Sequence, residues 1–279
     1  MSGFSPNWLD LREPVDHRSR NRALAGALAR YFDGWQPLMV VDLGCGTGSN
    51  LRATAPLLGP EQHWTLVDHD QALLDAAAVR LSAWADASKD ANGELSLRKG
   101  QQRINVAFRR ADLAGDLQGA LDPAAHLVTA AALFDLASAD FIAKVAAAVA
   151  ARNCAFYTVL TYDGDQRWQP EHEADAAMCE AFHAHQGGDK GFGAAAGPSA
   201  PDLLSDAFSA ARYTVSEADS AWRLGPTDQD LIDALADGFA AAAKETGRLA
   251  AGRLASWRGL RRTAAVVGHA DTLALPPMR

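Results

Sequence analysis

Apolar positions along this chain alternate between two rhythms. Residues 38–43, LMVVDL, form a compact apolar run of the kind carried by a strand buried on both faces. Similar runs recur at 63–67, 104–109, 126–131 and 154–160. Between them the apolar positions spread to helical spacing over 51–58, 70–84 and 139–151, with Asp70 placed to cap the second of these helices. Residues 14–32 read as one further helix: Leu24, Leu28 and Tyr31 stand three and four apart, Pro14 lies near its start, and Gly34 and Pro37 end it. The mixed, polar stretch 85–102 reads as a long loop. Five strands alternating with helices predict a parallel sheet with right-handed crossovers and ligands at the strands' C-terminal ends.

After Thr161 the regular alternation stops. A helix is expected over 171–186, a glycine- and proline-rich loop over 187–201, a helix over 202–212, a strand over 213–217, two helices within 228–259 and a last strand over 263–267. No internal repeat or linker divides the chain. It reads as one domain over 1–279, with a core at about 34–162 and a substrate cap with the final strands at about 163–279.

The segment Val40-Val41-Asp42-Leu43-Gly44-Cys45-Gly46-Thr47-Gly48 brings a strand into a turn with glycine at alternate positions, and a helix leaves it. Glycine permits positive φ and lets a ligand lie close to the backbone, and the first N–H groups of the next helix face that ligand. Dinucleotide-binding turns use the same physics but space their glycines G-x-G-x-x-G, which would need glycine where Ser49 stands. Asp42 adds negative charge that repels a pyrophosphate and suits a cationic amino group.

The run Asp42 to Gly48, DLGCGTG, resembles motif I of the class I S-adenosylmethionine-dependent methyltransferases, and the likeness extends over roughly 38–160. The resemblance implies an α/β, Rossmann-like fold: a seven-stranded, mostly parallel sheet with helices on both faces and a helical cap insertion. It implies S-adenosylmethionine as cofactor, held by Asp42, Gly44, Cys45, Gly46 and Gly48 at the turn. Asp68, with His69 beside it, falls where the superfamily's ribose-gripping acidic residue stands; two carboxylate oxygens can accept from both vicinal hydroxyls. Asp112 and Leu113 match the adenine position, and Ala131 ends the fourth strand beside Leu133-Phe134-Asp135-Leu136, where the superfamily lines the pocket between cofactor and substrate. The superfamily's amino-group signature N/D-P-P-Y/F/W is absent, Ala132-Leu133-Phe134-Asp135 standing in its place. That disfavours methylation of base nitrogens and glutamine amides.

Methyl transfer from a sulfonium needs an aligned nucleophile, exclusion of water and, for O–H or N–H acceptors, a base. Candidates are Asp135, which equally suits a helix start; Tyr162, which follows the fifth strand beside the turn pair Asp163-Gly164; and His185. Met178, Phe182 and His185 share a helix face, so His185 is expected to look inward, as a base or as a hydrogen-bonded core histidine. His183 and His185 near Glu171, His172, Glu173 and Asp189 hint at a metal, but two-residue spacing puts the histidines on different faces and no metal site is expected. Loop 187–201 is a candidate lid, with Lys190 and Phe192 facing a substrate. His17 and Arg20 continue the apolar face of the N-terminal helix, which in the superfamily often closes over the cofactor. Arg12, Arg18 and Arg22 are alternatives for meeting a substrate carboxylate.

The 279 residues include 26 Lys and Arg against 34 Asp and Glu, a net charge of −8 that repels a phosphate backbone and argues against DNA. Basic clusters at Arg98, Lys99, Arg103, Arg109 and Arg110, and from Arg248 to Arg262, read as solvated faces. Three cysteines without metal-like spacing suit a reducing compartment, and the N-terminus lacks a signal-peptide pattern, so a cytoplasmic location is expected. The acceptor is expected to be a small molecule methylated on oxygen, nitrogen or carbon. Methyl transfer to tRNA or protein, a nicotinamide-dependent oxidoreductase and a non-catalytic cofactor-binding regulator stay open as rivals. No stretch is long and apolar enough to cross a membrane, and the oligomeric state is not legible.

Overall fold

Short polar caps set the limits of the first helices. In a computed structural model describing residues 4–91 and 93–277, the Ser5 side chain accepts from the Trp8 N–H and opens α1 (Pro6–Ser19), with Pro6 in the first turn where its missing N–H costs nothing. Asn21 accepts from the N–H groups of Ala23 and Leu24 and starts α2 (Arg22–Tyr31). The single helix expected over 14–32 is therefore two helices. The Asn21 cap breaks it, and Pro14 lies inside α1 rather than near its start.

The alternation then runs β1 (Leu38–Leu43), α3 (Ser49–Thr54), β2 (Glu61–Asp68), α4 (Gln71–Trp84), β3 (Ala87–Ala91), β4 (Glu94–Lys99), β5 (Gln102–Arg110), α5 (Leu117–Ala120), β6 (Leu127–Ala131), α6 (Ala139–Arg152) and β7 (Ala155–Gln169). It ends with α7 (Asp175–Gln186), α8 (Ala200–Ala210), β8 (Thr214–Asp219), β9 (Trp222–Leu224), α9 (Gln229–Thr246), α10 (Ala251–Gly259) and β10 (Ala264–Leu275). One sheet joins the strands in the order β3-β4-β5-β2-β1-β6-β7-β10-β8, with β9 also on β10. The pairs among β5, β2, β1, β6 and β7 are parallel, and β10 is antiparallel to both its neighbours. One apolar cluster lies between the sheet and α1–α4, α7, α9 and α10, and another between the sheet and α5, α6 and α8.

Seven strands, β5-β2-β1-β6-β7-β10-β8, form the expected core; three more bring the sheet to ten among the described residues. The loop expected over 85–102 is instead the hairpin β3–β4, paired antiparallel and joined to β5. Its one buried face rests on Leu95 and Leu97, too few apolar positions to stand out among polar neighbours. The fifth strand does not end at 160. After Leu160, at φ 58°, β7 bends and runs on to Gln169 against the start of β10, with Asp163 and Gly164 inside it rather than in a closing turn.

Two further expectations change. Part of 187–201 is ordered packing: the Ala196 N–H donates to the Ala137 carbonyl at 2.7 Å, Phe192 lies 4.6 Å ring to ring from Phe141, and α8 begins at Ala200. Arg262, read as part of a solvated basic face, is buried. Its guanidinium donates to the Pro170 carbonyl at 2.6 Å and to Asp175 at 2.9 Å, over the Trp257 ring. No helix among the described residues is long and apolar enough to cross a membrane.

Candidate active site

The turn after β1 holds Gly44, Gly46 and Gly48 at φ 64°, 53° and 77°, all in the left-handed region. An L side chain there costs about 1–2 kcal/mol per residue. A Cβ on Gly44 would stand 3.2 Å from Leu133, and one on Gly46 3.1 Å from Leu9 of α1. The bare backbone expected for a ligand alone thus also admits side chains from two other elements. The Cys45 N–H donates to the Val67 carbonyl at 3.0 Å and the Gly46 N–H to Asp68 Oδ2 at 2.9 Å, tying the turn to the end of β2.

Asp42 is 0% exposed. Its Oδ1 accepts from Asn50 Nδ2 at 2.7 Å, while Oδ2 and the nearby Thr47 hydroxyl are buried without a protein partner. Burial raises the Asp42 carboxyl to about 7, against the opposing Asn50 hydrogen bond. Burial also raises the Cys45 thiol, with Asp42 and Asp68 adding to the effect.

Helix α1 lies over this turn. Arg52, just beyond it, donates to the Thr47 carbonyl at 2.8 Å and is clamped by Glu13 of α1 at 2.7 Å. His17 Nε2 lies 3.0 Å from Ser49 Oγ, and Arg20 donates to Thr54 Oγ1 at 2.9 Å. Of the alternatives, Arg12 pairs with Asp16 at 2.9 Å, Arg18 with Asp228 at 2.7 Å, and Arg22 is exposed.

The parallel register brings Asp42, Asp68, Asp112 and Ala131 to one edge of the sheet, the C-terminal ends of β1, β2, β5 and β6. Asp68 is buried. Its Oδ1 accepts from the Asp70 N–H at 3.0 Å, and the exposed His69 ring lies 3.4 Å away. Each carboxylate oxygen has lone-pair capacity beyond the one backbone donor it meets. Asp112 is exposed and accepts from the Ala114 N–H at 3.1 Å, while Leu113 is buried beside it. Ala131 is half-buried and leads into Ala132 at φ 50°, which swings Leu133 over Gly44.

The three candidates beyond β6 occupy different environments. Tyr162 meets its hydrogen-bonding needs inside the protein. Gln166 Nε2 donates to the phenol oxygen at 2.5 Å, which directs the phenol's own proton to His183 Nε2 at 2.8 Å. Burial raises the Tyr162 phenol and lowers the His183 ring. His185 does not look inward to a pocket. Its face meets α9, where Phe182 lies 4.1 Å ring to ring from Phe239, and its Nε2 ends 2.9 Å from Glu245, a side chain 70% exposed. Asp135 is 8% exposed; Oδ2 accepts from Gln186 Nε2 at 3.0 Å and Oδ1 has no partner. Burial raises its carboxyl to about 6, against its own backbone N–H, the charge of Arg12, the Gln186 bond and the Tyr162 backbone N–H.

Three further residues complete this region. Gln186, which is uncharged, and His269, which lies in the last strand, gave no signal in the chain, and Arg12 stood only among the alternatives for a substrate carboxylate. Arg12 sits 4.8 Å over the Trp222 ring, and His269 lies 5.0 Å from the same ring. Burial, helped by Arg12, lowers His269 to about 3, and its Nδ1 and the Trp222 Nε1 are buried without partners. Among the described residues, no group of three or more His, Cys, Asp or Glu is arranged to hold a metal ion.

No protein-family model matches the chain, and no curated protein matches it. Solved structures do. A cyclopropane-fatty-acyl-phospholipid synthase-like protein from Lactobacillus casei aligns at 18% identity and a TM-score of 0.54, over 98% of this chain and 95% of that one. A candidate methyltransferase from Bacillus halodurans aligns at 12% identity and 0.52, over 91% of this chain and 100% of that one. The YcgJ protein of Bacillus subtilis aligns at 12% and 0.50, over 92% and 100%.

Proposed function

The chain has the class I methyltransferase fold, and we propose that it transfers a methyl group from S-adenosylmethionine to a small-molecule acceptor. The reading is carried by one observation: a fully buried Asp42 carboxylate with an oxygen that no protein group meets, at the edge of a turn held open by three left-handed glycines. A cationic α-amino group completes that carboxylate, whereas a pyrophosphate would meet like charge. Asp68 has lone pairs to spare for a ribose diol, and Asp112 and Leu113 stand at the neighbouring strand end for an adenine. When bound, the cofactor supplies an electrophilic methyl carbon.

The chain's own contribution is alignment and exclusion of water. Leu9 and Leu133 lie on the glycine turn and α1 is clamped above it through Glu13 and Arg52. The net charge of −8 favours a small acceptor over a nucleic acid.

Calorimetry with S-adenosylhomocysteine and with NAD tests the cofactor. S-adenosylhomocysteine is expected to bind, Asp68→Ala to weaken it at least tenfold, and NAD to give no heat. Tight NAD binding with a silent S-adenosylhomocysteine titration rejects the proposal. Incubation with isotopically labelled S-adenosylmethionine and a metabolite extract, followed by mass spectrometry, then identifies the acceptor.

A further inference from the structure

One buried carboxylate has no part in the site described so far. Asp271 of β10 is 0% exposed, and its two oxygens accept from two different elements. Oδ2 takes the Asn21 N–H at 2.8 Å and Oδ1 the Leu160 N–H at 2.9 Å. Both donors lie where regular backbone pairing breaks. Asn21 is the corner between α1 and α2. Leu160 belongs to a bulge: β10 pairs Ala270 with Thr161 and Thr272 with Thr158, which leaves Asp271 opposite both Val159 and Leu160. An orphaned N–H is costly in the interior, and Asp271 meets both.

From that corner an unbroken line of hydrogen bonds runs to the glycine turn. Arg20, one residue before Asn21, donates through Nη1 to Thr54 Oγ1 at 2.9 Å. Thr54 donates to Asn50 Oδ1 at 3.2 Å, and Asn50 Nδ2 donates to Asp42 Oδ1 at 2.7 Å. The line has one direction. Thr54 gives its single hydrogen to Asn50 Oδ1, which leaves the Asn50 amide hydrogens for Asp42 and for Thr129 Oγ1 at 3.1 Å. Burial raises the carboxyls of both Asp42 and Asp271, and at both the charge of Arg20 is among the effects that oppose it. Asp68 of β2 and Cys45 of the turn also face Asp42, Tyr157 of β7 faces Asp271, and His17 of α1 lies beside Arg20.

We propose that Asp271 is a positioning residue for the cofactor site: it seats the α1–α2 corner and, through Arg20, Thr54 and Asn50, holds the Asp42 carboxylate in place for a cationic amino group. This rests on the methyl-transfer reading. A corner released from Asp271 lets Arg20 leave Thr54, and with it goes the positive charge that helps Asp42 stay ionised in its buried position. Simple loss of the Asp271 charge acts the other way, because one carboxylate fewer makes ionisation of Asp42 easier.

The test uses the full chain with Asp271→Asn and, separately, Thr54→Val. Asparagine keeps the shape of Asp271 but turns an amide group toward one of its two N–H donors; valine keeps the shape of Thr54 and cuts the line without changing charge. The Asp42 carboxyl carbon is followed by NMR without ligand and assigned by its disappearance in Asp42→Asn. Its titration is expected to move to higher pH by about 0.5 or more in both variants, because Arg20 no longer opposes burial there. An unchanged or lower midpoint in either variant overturns the proposal, and so does an Asp271→Asn chain that does not fold, which marks a structural carboxylate. In calorimetry Asp271→Asn is expected to bind S-adenosylhomocysteine about threefold or more weakly than wild type at pH 6, and within about 1.5-fold of it at pH 8.5, where Asp42 is ionised in both. An equal loss at both pH values is what a merely structural role produces and overturns it as well. Failure of the parent reading shows differently, as a wild type that does not bind S-adenosylhomocysteine at any pH, while the Asp42 titration still reports on the line.

Discussion

Burial raises two carboxyls, Asp42 to about 7 and Asp135 to about 6, against hydrogen bonds and arginine charge that act in the opposite sense at both. The folded-state values lie above the unfolded value of 3.8. The native state therefore holds these protons where the unfolded chain has lost them, and their stabilisation is complete below about pH 4 and lost as pH rises through 6 and 7. The buried rings of His269 and His183 act in the opposite sense, their lowered values adding stability as pH rises towards 6.5, so the carboxyl is read by difference from a variant. Between pH 5 and pH 8 the denaturant midpoint of Asp42→Asn is expected to fall less, or rise more, than that of the wild type, the Asp42 share being on the order of 4 kcal/mol at most at about 1.4 kcal/mol per unit. The same pH dependence in the wild type and the variant contradicts the assignment. His185→Ala is expected to cost no more than about 0.5 kcal/mol, as for a surface pair, and to leave turnover within about twofold; a hundredfold loss would restore it as a base. The helical spacing of Met178, Phe182 and His185 was legible, and they do share a face. Which element that face would meet was not, because it depends on α9, some fifty residues further along the chain.

At the scale of elements, the contact that matters most for the site is α1 on the glycine turn. Arg52 is buried, and Glu13 of α1 neutralises it. Glu13→Ala leaves that guanidinium without its carboxylate and is expected to cost about 3–5 kcal/mol. Amide exchange should quicken in α1 and across the turn, while α6 on the opposite face keeps its protection. Uniform exchange changes in both would show that α1 is not a separate clamp. The strand–turn–helix at Asp42–Gly48 was readable because its spacing is local and its strand is apolar on both faces. The hairpin β3–β4 was not, since Leu95 and Leu97 are its only clear apolar beats. The second half of β7 was hidden for a related reason: Asp163-Gly164-Asp165 has turn chemistry, yet here it forms a bulge inside the strand, because β10 pairs with Tyr162 before it and Gln166 after it. Pairing with a partner a hundred residues away overrides a local signal.

In the whole molecule, the parallel core and the edge where its acidic residues gather followed from the alternation of strands and helices, whereas the layer formed by α7, α9 and α10 was placed only roughly. Its anchor is Arg262, a residue whose charge suggested the surface. Arg262 is fixed by Asp175 at the start of α7 and by the Pro170 carbonyl, and Trp257 of α10 donates to the same Asp175 oxygen at 2.7 Å. Arg262→Ala is expected to destabilise the protein by about 3–5 kcal/mol, because it leaves Asp175 without its cation and empties space beside two indoles. Proteolysis should then begin within 170–186 or 251–259; first cuts in 38–68 would contradict this. One consequence follows from β7 being a single strand on both sides of Leu160. The ribbon it makes with β10 runs from the sheet into the layer of α7, α9 and α10, where Trp168 meets Phe239 and Trp257, so that layer is built onto the sheet and not hinged to it like a door. On the methyl-transfer reading proposed above, an engineer reshaping the site would leave that ribbon alone and start from its flanks, α1 or the 187–199 segment.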